Sequence, residues 1–373
     1  MTTNKKWAVI IGIGMAISPI HSLWLTNLVT EDGVVGFFIP AFGTAIWLMG
    51  SLLFLVWSKQ KIDWGSKLVF IPMLAIVAAM GISGAVNGES LQDKFAPLGM
   101  GLSLFAIYLS ARVLGKDIFL AFIPLVVIVS ISCVIAGIMN PGMITGGLIT
   151  NYCASAGFII FGTIVSHGKW QWILISVALV GLFFIGALEA VFIVGVLFVA
   201  MIIRKDWNKQ AAIVSASVVV LAAVWAALGF LTVLYEGNHN VATLFDVIMG
   251  RSTLTSQTLL TLTSGRWPVI VEAIHNFNFI GHGYSLGTAS SRIVHNIPLI
   301  IMHQIGPLAA TAWLFVTVFC LVKTKWKYAW IAIMAASVFD HYLWTQFAPL
   351  WWVLAGVSTA STVNNDLIFK KVV

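Results

Sequence analysis

The sequence predicts an all-α, polytopic membrane protein of about twelve transmembrane helices, with one large extracytoplasmic loop between the ninth and the tenth. Two observations carry that class. Hydrophobic residues make up 60% of the 373 and charged residues only 9%, where a soluble domain carries roughly 25% charged residues. Apolar stretches such as 69–86, 118–139 and 211–234 are long enough, at about 1.5 Å per residue, to cross a hydrocarbon core roughly 30 Å thick. They recur along the whole chain, so residues 1–373 read as a single integral membrane domain and not as a soluble domain with an anchor.

Taken in order, Lys5 and Lys6 followed by an apolar run have the look of a signal peptide. No clear small-residue cleavage site follows, which makes this segment a retained first helix. Breaks at charged and turn-rich stretches then place helices near 7–28, 35–57, 67–87, 97–112, 118–139, 150–166, 171–185, 189–203, 211–235, 297–322, 327–340 and 345–360. The apolar block 170–203 is too long for one crossing and short for two, so it divides at a turn around 186–189. Cys133, Cys153 and Cys320 all fall in apolar segments, with neither metal spacing nor a disulfide framework.

Charge supplies the orientation. With the N-terminus in the cytoplasm, sixteen of the 20 basic residues lie on the inside, as the positive-inside rule requires. They are Lys59, Lys61, Lys67, Arg112, Lys116, Lys169, Arg204, Lys205, Lys209, Lys323, Lys325 and Lys327, joined at the termini by Lys5, Lys6, Lys370 and Lys371. The C-terminus is then cytoplasmic too. The net charge of +7 is a topology signal and implies no nucleic-acid partner. Of the basic residues facing out, Lys94 stands alone, whereas Arg251, Arg266 and Arg292 share one segment, 236–296. That segment is the long loop, and it also holds His239, His275, His282 and His295, half of the chain's 8 histidines. Long loops in compact domains are usually functional or disordered, and this one is too apolar for disorder.

Within the loop, Ser264-Gly265-Arg266-Trp267-Pro268 and the residues to Ile274 read as a short amphipathic helix. Ser264 caps it, Pro268 is tolerated in the first turn, and Trp267, Ile270, Val271 and Ile274 share a face. Arg266 near its positive end suits an anion; it equally suits an interfacial helix whose arginine snorkels to lipid phosphate. Gly281-His282-Gly283 marks a tight backbone passage, a plain turn or a close approach. His295-Asn296 precedes the apolar run of the tenth helix, where Asn296 is a good N-cap. Gln304 and Gly306 follow inside that run.

In this order, Gly265-Arg266, Ala273, Gly281-His282-Gly283, His295-Asn296, Leu299, Gln304 and Gly306 resemble the motif block of the O-antigen ligase/polymerase family. The block spans about 45 residues, and the topology of about twelve helices with one large outside loop extends the likeness along the chain. Phe339-Asp340-His341-Tyr342-Leu343-Trp344 also looks like the outside turn before the last helix in polymerase-type members. The chain departs from the pattern at Gln304, where the family often has Glu, and at Ala309, where it often has Gly. Many members also carry a Ser-Arg pair where this chain has Ala187-Leu188-Glu189.

The resemblance implies a bacterial inner-membrane glycosyltransferase. It would move glycan from an undecaprenyl-diphosphate-linked oligosaccharide to the hydroxyl of a glycan or lipid-linked acceptor, among membrane lipids, on the periplasmic face. A diphosphate leaving group needs its charge stabilised. The sequence holds no Asp-x-Asp pair for a divalent metal, so the expectation is a metal-independent enzyme without a cofactor. Arg266 is then the first candidate for that charge, with Arg292 or Arg251 as the second cation in place of the missing Ser-Arg pair. His295, whose side-chain type titrates near 6.5, is the candidate base, and Asn296 would orient it or bind a sugar. His282, Glu189, Asp340 and His341 complete the substrate-binding candidates, since charges at the outer ends of helices pair locally or face a wet cavity. Within the family, polymerase is preferred over ligation to lipid A-core and over protein oligosaccharide transfer, on the Asp340-His341-Tyr342 patch and the short C-terminus. A secondary transporter or lipid flippase is the alternative of another class, but no internal repeat is visible. Tyr342, Trp344, Trp351 and Trp352, from a chain with 16 Trp, are expected at the lipid interface or stacked on sugars.

Overall fold

The structure, a computed structural model, describes residues 2–18, 34–58, 64–124, 246–253, 267–276, 278–283, 296–324, 326–339 and 347–360, with scattered positions at 127–135, 243–258 and 343–344. Every regular element among them is helical. They are α1 (Thr3–Ile17), α2 (Val34–Trp57), α3 (Lys67–Asn87), α4 (Leu91–Leu114), a 3-10 turn (Gly115–Phe119), α5 (Trp267–His275), α6 (Ile297–Ile305), α7 (Pro307–Lys323), α8 (Lys327–Phe339) and α9 (Ala348–Thr359). The helices expected near 150–166, 171–185, 189–203 and 211–235 lie outside the described residues, as does half of the one near 118–139. Cys133 and Cys153 lie outside them as well.

Local chemistry sets the boundaries. The hydroxyl of Thr2 accepts from Lys5 N and starts α1, ahead of the expected position 7. Ser66 caps α3 through Leu68 N at 3.3 Å, and α3 covers the expected span. The expected start of α4 at 97 is corrected to Leu91. Ser90 and Asp93 form a reciprocal capping box, each side chain accepting from the other's backbone N–H at 3.1 Å. Gly115 then ends α4 with φ +64.

Among the described residues, two helical runs, α3 and Leu91–Phe119, are long and apolar enough to cross a membrane. The outward face of α3 carries Leu68, Ile71, Ile82 and Val86, each at least 55% exposed, and α7 exposes Leu308, Phe315 and Val322. Contiguous bare apolar surface of this kind is rare on a protein that meets only water.

Packing is close where small residues allow it. Gly14 of α1 lies against Trp47 N and Gly43 O of α2, and Gly12 lies against the Ile118 carbonyl, the small-residue contacts by which apolar helices approach. Ser110 of α4 donates to the Ser51 carbonyl of α2 at 3.3 Å. At the centre runs α9, buried without interruption from Ala348 to Val357, as expected of a helix that is apolar all round. Gly356 brings it against the Tyr108 carbonyl of α4.

Three indoles fasten α9. Trp351 stacks on Trp313 of α7 at 5.7 Å, meets Trp330 of α8 edge-on at 6.5 Å and donates Nε1–H to Thr317 at 3.0 Å. The expectation for Trp344, Trp351 and Trp352 is therefore corrected: each is at most 2% exposed, inside the protein and not at a lipid belt or a sugar platform. Arg112, at the end of the helix expected near 97–112, lies in the last turn of α4, buried, where it donates Nη1–H to the Thr359 carbonyl and hydroxyl at 2.5 and 2.6 Å. A guanidinium at the carboxyl end of α9 also complements that helix's dipole.

Candidate functional site

The expected tenth helix, 297–322, is two helices. Gly306 adopts φ +90 between them and Pro307, which has no N–H to continue the ladder, opens α7. The break has a further cause: a side chain at Gly306 would strike the Phe279 carbonyl. That carbonyl belongs to the glycine turn of the long loop, so the chain bends where the loop docks.

The docking is a backbone interaction. His282 N donates to the His303 carbonyl at 2.8 Å and Gly283 N to the Gln304 carbonyl at 3.1 Å. Both glycines have positive φ, +80 at Gly281 and +107 at Gly283, and a Cβ on Gly281 would overlap Gln304 O. Of the two sequence readings, close approach is the one realised. The carboxyl end of α3 joins them. Ser83 donates to the Gln304 carbonyl at 2.7 Å, and Asn87 Nδ2 donates to the Gly281 carbonyl at 3.1 Å. Gln304 itself is buried, and its Oε1 accepts from Trp344 Nε1 at 2.7 Å, so the segment between α8 and α9 is tied in at Trp344.

At its other end α6 is capped by Asn296, whose Oδ1 accepts from Leu299 N at 3.1 Å while its Nδ2 donates to the Val338 carbonyl at 3.2 Å. This short helix thus bridges the carboxyl ends of α8 and α3. Both ends of the Asn296 amide are engaged, which makes it a cap and a tether. Beside α6 packs α5, through Ala273 (buried) and Ile270 (half-buried). On the face that Ile270 and Ile274 share, Ile270 packs against the core and Ile274 is 52% exposed.

An open pocket of about 660 Å³ lies at the glycine turn, lined by Asn276, Asn278, Phe279, Ile280, His282 and His303. The two imidazoles stand 4.6 Å apart, tilted by 33°. His282 donates Nε2–H to the Asn276 carbonyl at 2.7 Å, which fixes its tautomer, since a carbonyl only accepts. His303 is absent from the sequence reading because it sits inside the apolar run 297–322; its place between Asn296 and Gln304 was the available signal.

Of the other site candidates, Arg266, His295, Arg292, Glu189, Asp340 and His341 lie outside the described residues, as do Ser264 and Tyr342. Two of them adjoin described elements in sequence: Arg266 immediately precedes α5, and His295 immediately precedes the N-cap of α6. Arg251 is exposed in a turn where its backbone N–H donates to the Asp246 carbonyl at 2.7 Å. The described arrangement holds a rigid, mostly neutral hydrogen-bonding surface at the carboxyl end of α3, next to a helix whose amino end is reached through Asn296. No protein-family model matches the chain, and no curated protein matches it.

Proposed function

We propose that the chain is a multi-pass bacterial inner-membrane glycosyltransferase of about twelve spans. It transfers glycan from an undecaprenyl-diphosphate carrier to an acceptor sugar hydroxyl on the periplasmic face, as a surface-polysaccharide polymerase. The observation that carries this reading is the convergence of motif pieces scattered along the sequence. Gly281, His282 and Gly283 are bonded to or packed on His303 and Gln304, Gly306 lies against the Phe279 carbonyl, and the helix so held begins directly after His295-Asn296. Ordinary helix packing has no need of two positive-φ glycines against a helix end, whereas a site that must keep its geometry does.

In this reading the acceptor hydroxyl attacks the anomeric carbon, and the bond from that carbon to the diphosphate oxygen breaks. The hydroxyl proton passes to the His295 imidazole. Arg266, with Arg292 or Arg251, takes the growing negative charge of the diphosphate. The helix dipoles of α5 and α6 favour anions at their amino ends.

The test uses purified full-length protein in detergent with a polyprenyl-diphosphate oligosaccharide. Arg266→Lys keeps the charge but loses the planar fork, and turnover should fall by at least about tenfold, or about 1.4 kcal/mol. His295→Ala should nearly abolish transfer while donor binding persists. Folded His295→Ala protein that transfers normally would remove the histidine from the reaction. Products of increasing length identify a polymerase; a single transfer identifies a ligase and overturns the narrower assignment.

A further inference from the structure

The height of the glycine turn is fixed by α3, because Asn87 Nδ2 donates to the Gly281 carbonyl and Ser83 to the Gln304 carbonyl. At about 1.5 Å per residue, Ile82 and Val86 share those two levels, and both are exposed apolar side chains. The amino end of α4 returns beside them, with the Lys94 backbone against Gly84 and Gly88, and it too turns apolar groups outward at Leu91 and Phe95. Charge stands at the connection between the two helices, in Glu89 and Asp93. Lys94 adds an ammonium on a carbon stem that can carry it up from an apolar level. The turn is thus bonded to α3 just below the line where this outer surface changes from apolar to charged.

Two features of the turn suit that depth. Each backbone N–H from Ile280 to Gly283 has a protein acceptor. Ile280 N donates to Asn278 Oδ1 at 3.0 Å, Gly281 N to the Asn278 carbonyl at 3.2 Å, and the next two to carbonyls at the carboxyl end of α6. Water can satisfy such groups on an ordinary surface loop, whereas irregular backbone at membrane depth has to bond within the protein. The second feature is apolar side chains at the surface of the junction. Ile270 and Ala273 hold α5 against the core, while Ile274, one turn on, is exposed. Ile280 is 39% exposed, and Leu308, just beyond the Gly306 that meets the turn, is 67% exposed.

We propose that the glycine turn and α5 are seated in the interface of the extracytoplasmic leaflet, with Ile274, Ile280 and Leu308 among the outer acyl chains of the lipid. The bilayer is the partner because of the length of the neighbouring apolar stripe. On α3, Leu68, Ile71, Leu74, Ile82 and Val86 share one exposed face. From end to end that face measures about 27 Å, close to the hydrocarbon core of roughly 30 Å, and the turn is bonded at its upper end. The seating rests on the multi-pass reading but on no step of the transfer. Joined to the transferase reading, it lets a lipid-borne diphosphate be met at headgroup depth without leaving the membrane.

The test places a nitroxide on single cysteines in full-length, cysteine-free protein reconstituted into phosphatidylethanolamine–phosphatidylglycerol vesicles. Collisions with oxygen, which concentrates among acyl chains, are compared with collisions with a water-soluble nickel chelate. Labels at Ile274→Cys and Ile280→Cys should favour oxygen, as a label at Val86→Cys does, and the preference should reverse at Glu89→Cys. Leu308→Cys reads the same depth on α7 and decides the matter should a label unseat the turn. Nickel preference at the junction with oxygen preference at Val86→Cys would overturn the seating and leave the multi-pass reading standing. Nickel preference at Val86→Cys as well would overturn both. Junction labels closed to both reagents would lie under protein, which equally overturns the seating. Oxygen preference at the junction of a protein that transfers no glycan would keep the seating and sink the transferase.

Discussion

Replacing Gly281 by alanine attacks the junction at its most constrained atom. The residue holds φ +80, a conformation that costs a non-glycine residue about 1–3 kcal/mol, and the new methyl would overlap the Gln304 carbonyl. The turn can relieve both by lifting off α6. It then loses the bonds from His282 N to His303 O (2.8 Å), from Gly283 N to Gln304 O (3.1 Å) and from Asn87 Nδ2 to Gly281 O (3.1 Å). At about 1 kcal/mol net for each such bond, docking is worth about as much as the strain now opposing it. The ratio of docked to lifted turn should drop by about 100-fold, equivalent to about 2.7 kcal/mol, which leaves the two states comparably populated. Amide hydrogen exchange on full-length protein in detergent reads this directly. Protection at His282 and Gly283 should collapse while the central amides of α3 and α4 keep theirs, and transfer should decline in parallel. Gly99→Ala is the control. Its added methyl meets nothing within 4 Å, and inside a helix it should be neutral or stabilise by about 0.5–1 kcal/mol. Undiminished protection at His282 in Gly281→Ala would mean that α6 yields cheaply, and the rigid-junction account would be wrong.

Arg112→Ala removes the buried donor to Thr359 and should destabilise the protein by about 2–4 kcal/mol, seen as a lower thermal midpoint in detergent; an unchanged midpoint would show the pair to be dispensable. Gln304→Leu takes the acceptor from the buried Trp344 indole and should cost about 1–3 kcal/mol. Adding Trp344→Phe should recover part of that loss, and a double variant no better than the sum of the two singles would refute the coupling. For topology, a single cysteine at Ser285 in a cysteine-free background should label from outside intact spheroplasts. Labelling only after permeabilisation would invert the proposed orientation and move the site to the cytoplasm.

Local signals made α2 and α3 legible to within a residue or so, because Ser66 and the charged or polar flanks bracket runs of apolar residues. The same logic passed over the break at Gly306. Hydropathy reads 297–322 as continuous, and the Gly-Pro dipeptide that ends α6 is a weak mark inside an apolar run. What decides the break is a carbonyl from residue 279, a contact that no local window contains. Trp344, Trp351 and Trp352 were misplaced for a related reason. Lipid and protein interior are equally apolar, so periodicity cannot tell a lipid-facing indole from one in the middle of a bundle. Arg112 counted correctly as a basic residue near a helix end, yet its partner is Thr359, across the whole chain. The glycine turn was legible as a tight passage because only glycine tolerates those angles. That it closes on His303 and Gln304 could come only from the fold.

The ties between α3 and the segments around α6 also govern the order in which the molecule can be made. Ser83 and Gln304 are 221 residues apart, Asn87 and Gly281 are 194 apart, and Arg112 and Thr359 are 247 apart. During synthesis α1 to α4 emerge first and can pack against one another, but a nascent chain that ends before residue 281 offers Ser83, Asn87 and Arg112 none of these partners. Such long-range closure is slow, and in the interval those polar groups sit on an apolar helix pair where a free donor is expensive. A chaperone that shelters polar groups on half-finished chains would find them at the ends of α3 and α4. A frameshift downstream of α4 would leave them exposed for good, which marks the truncated product for disposal.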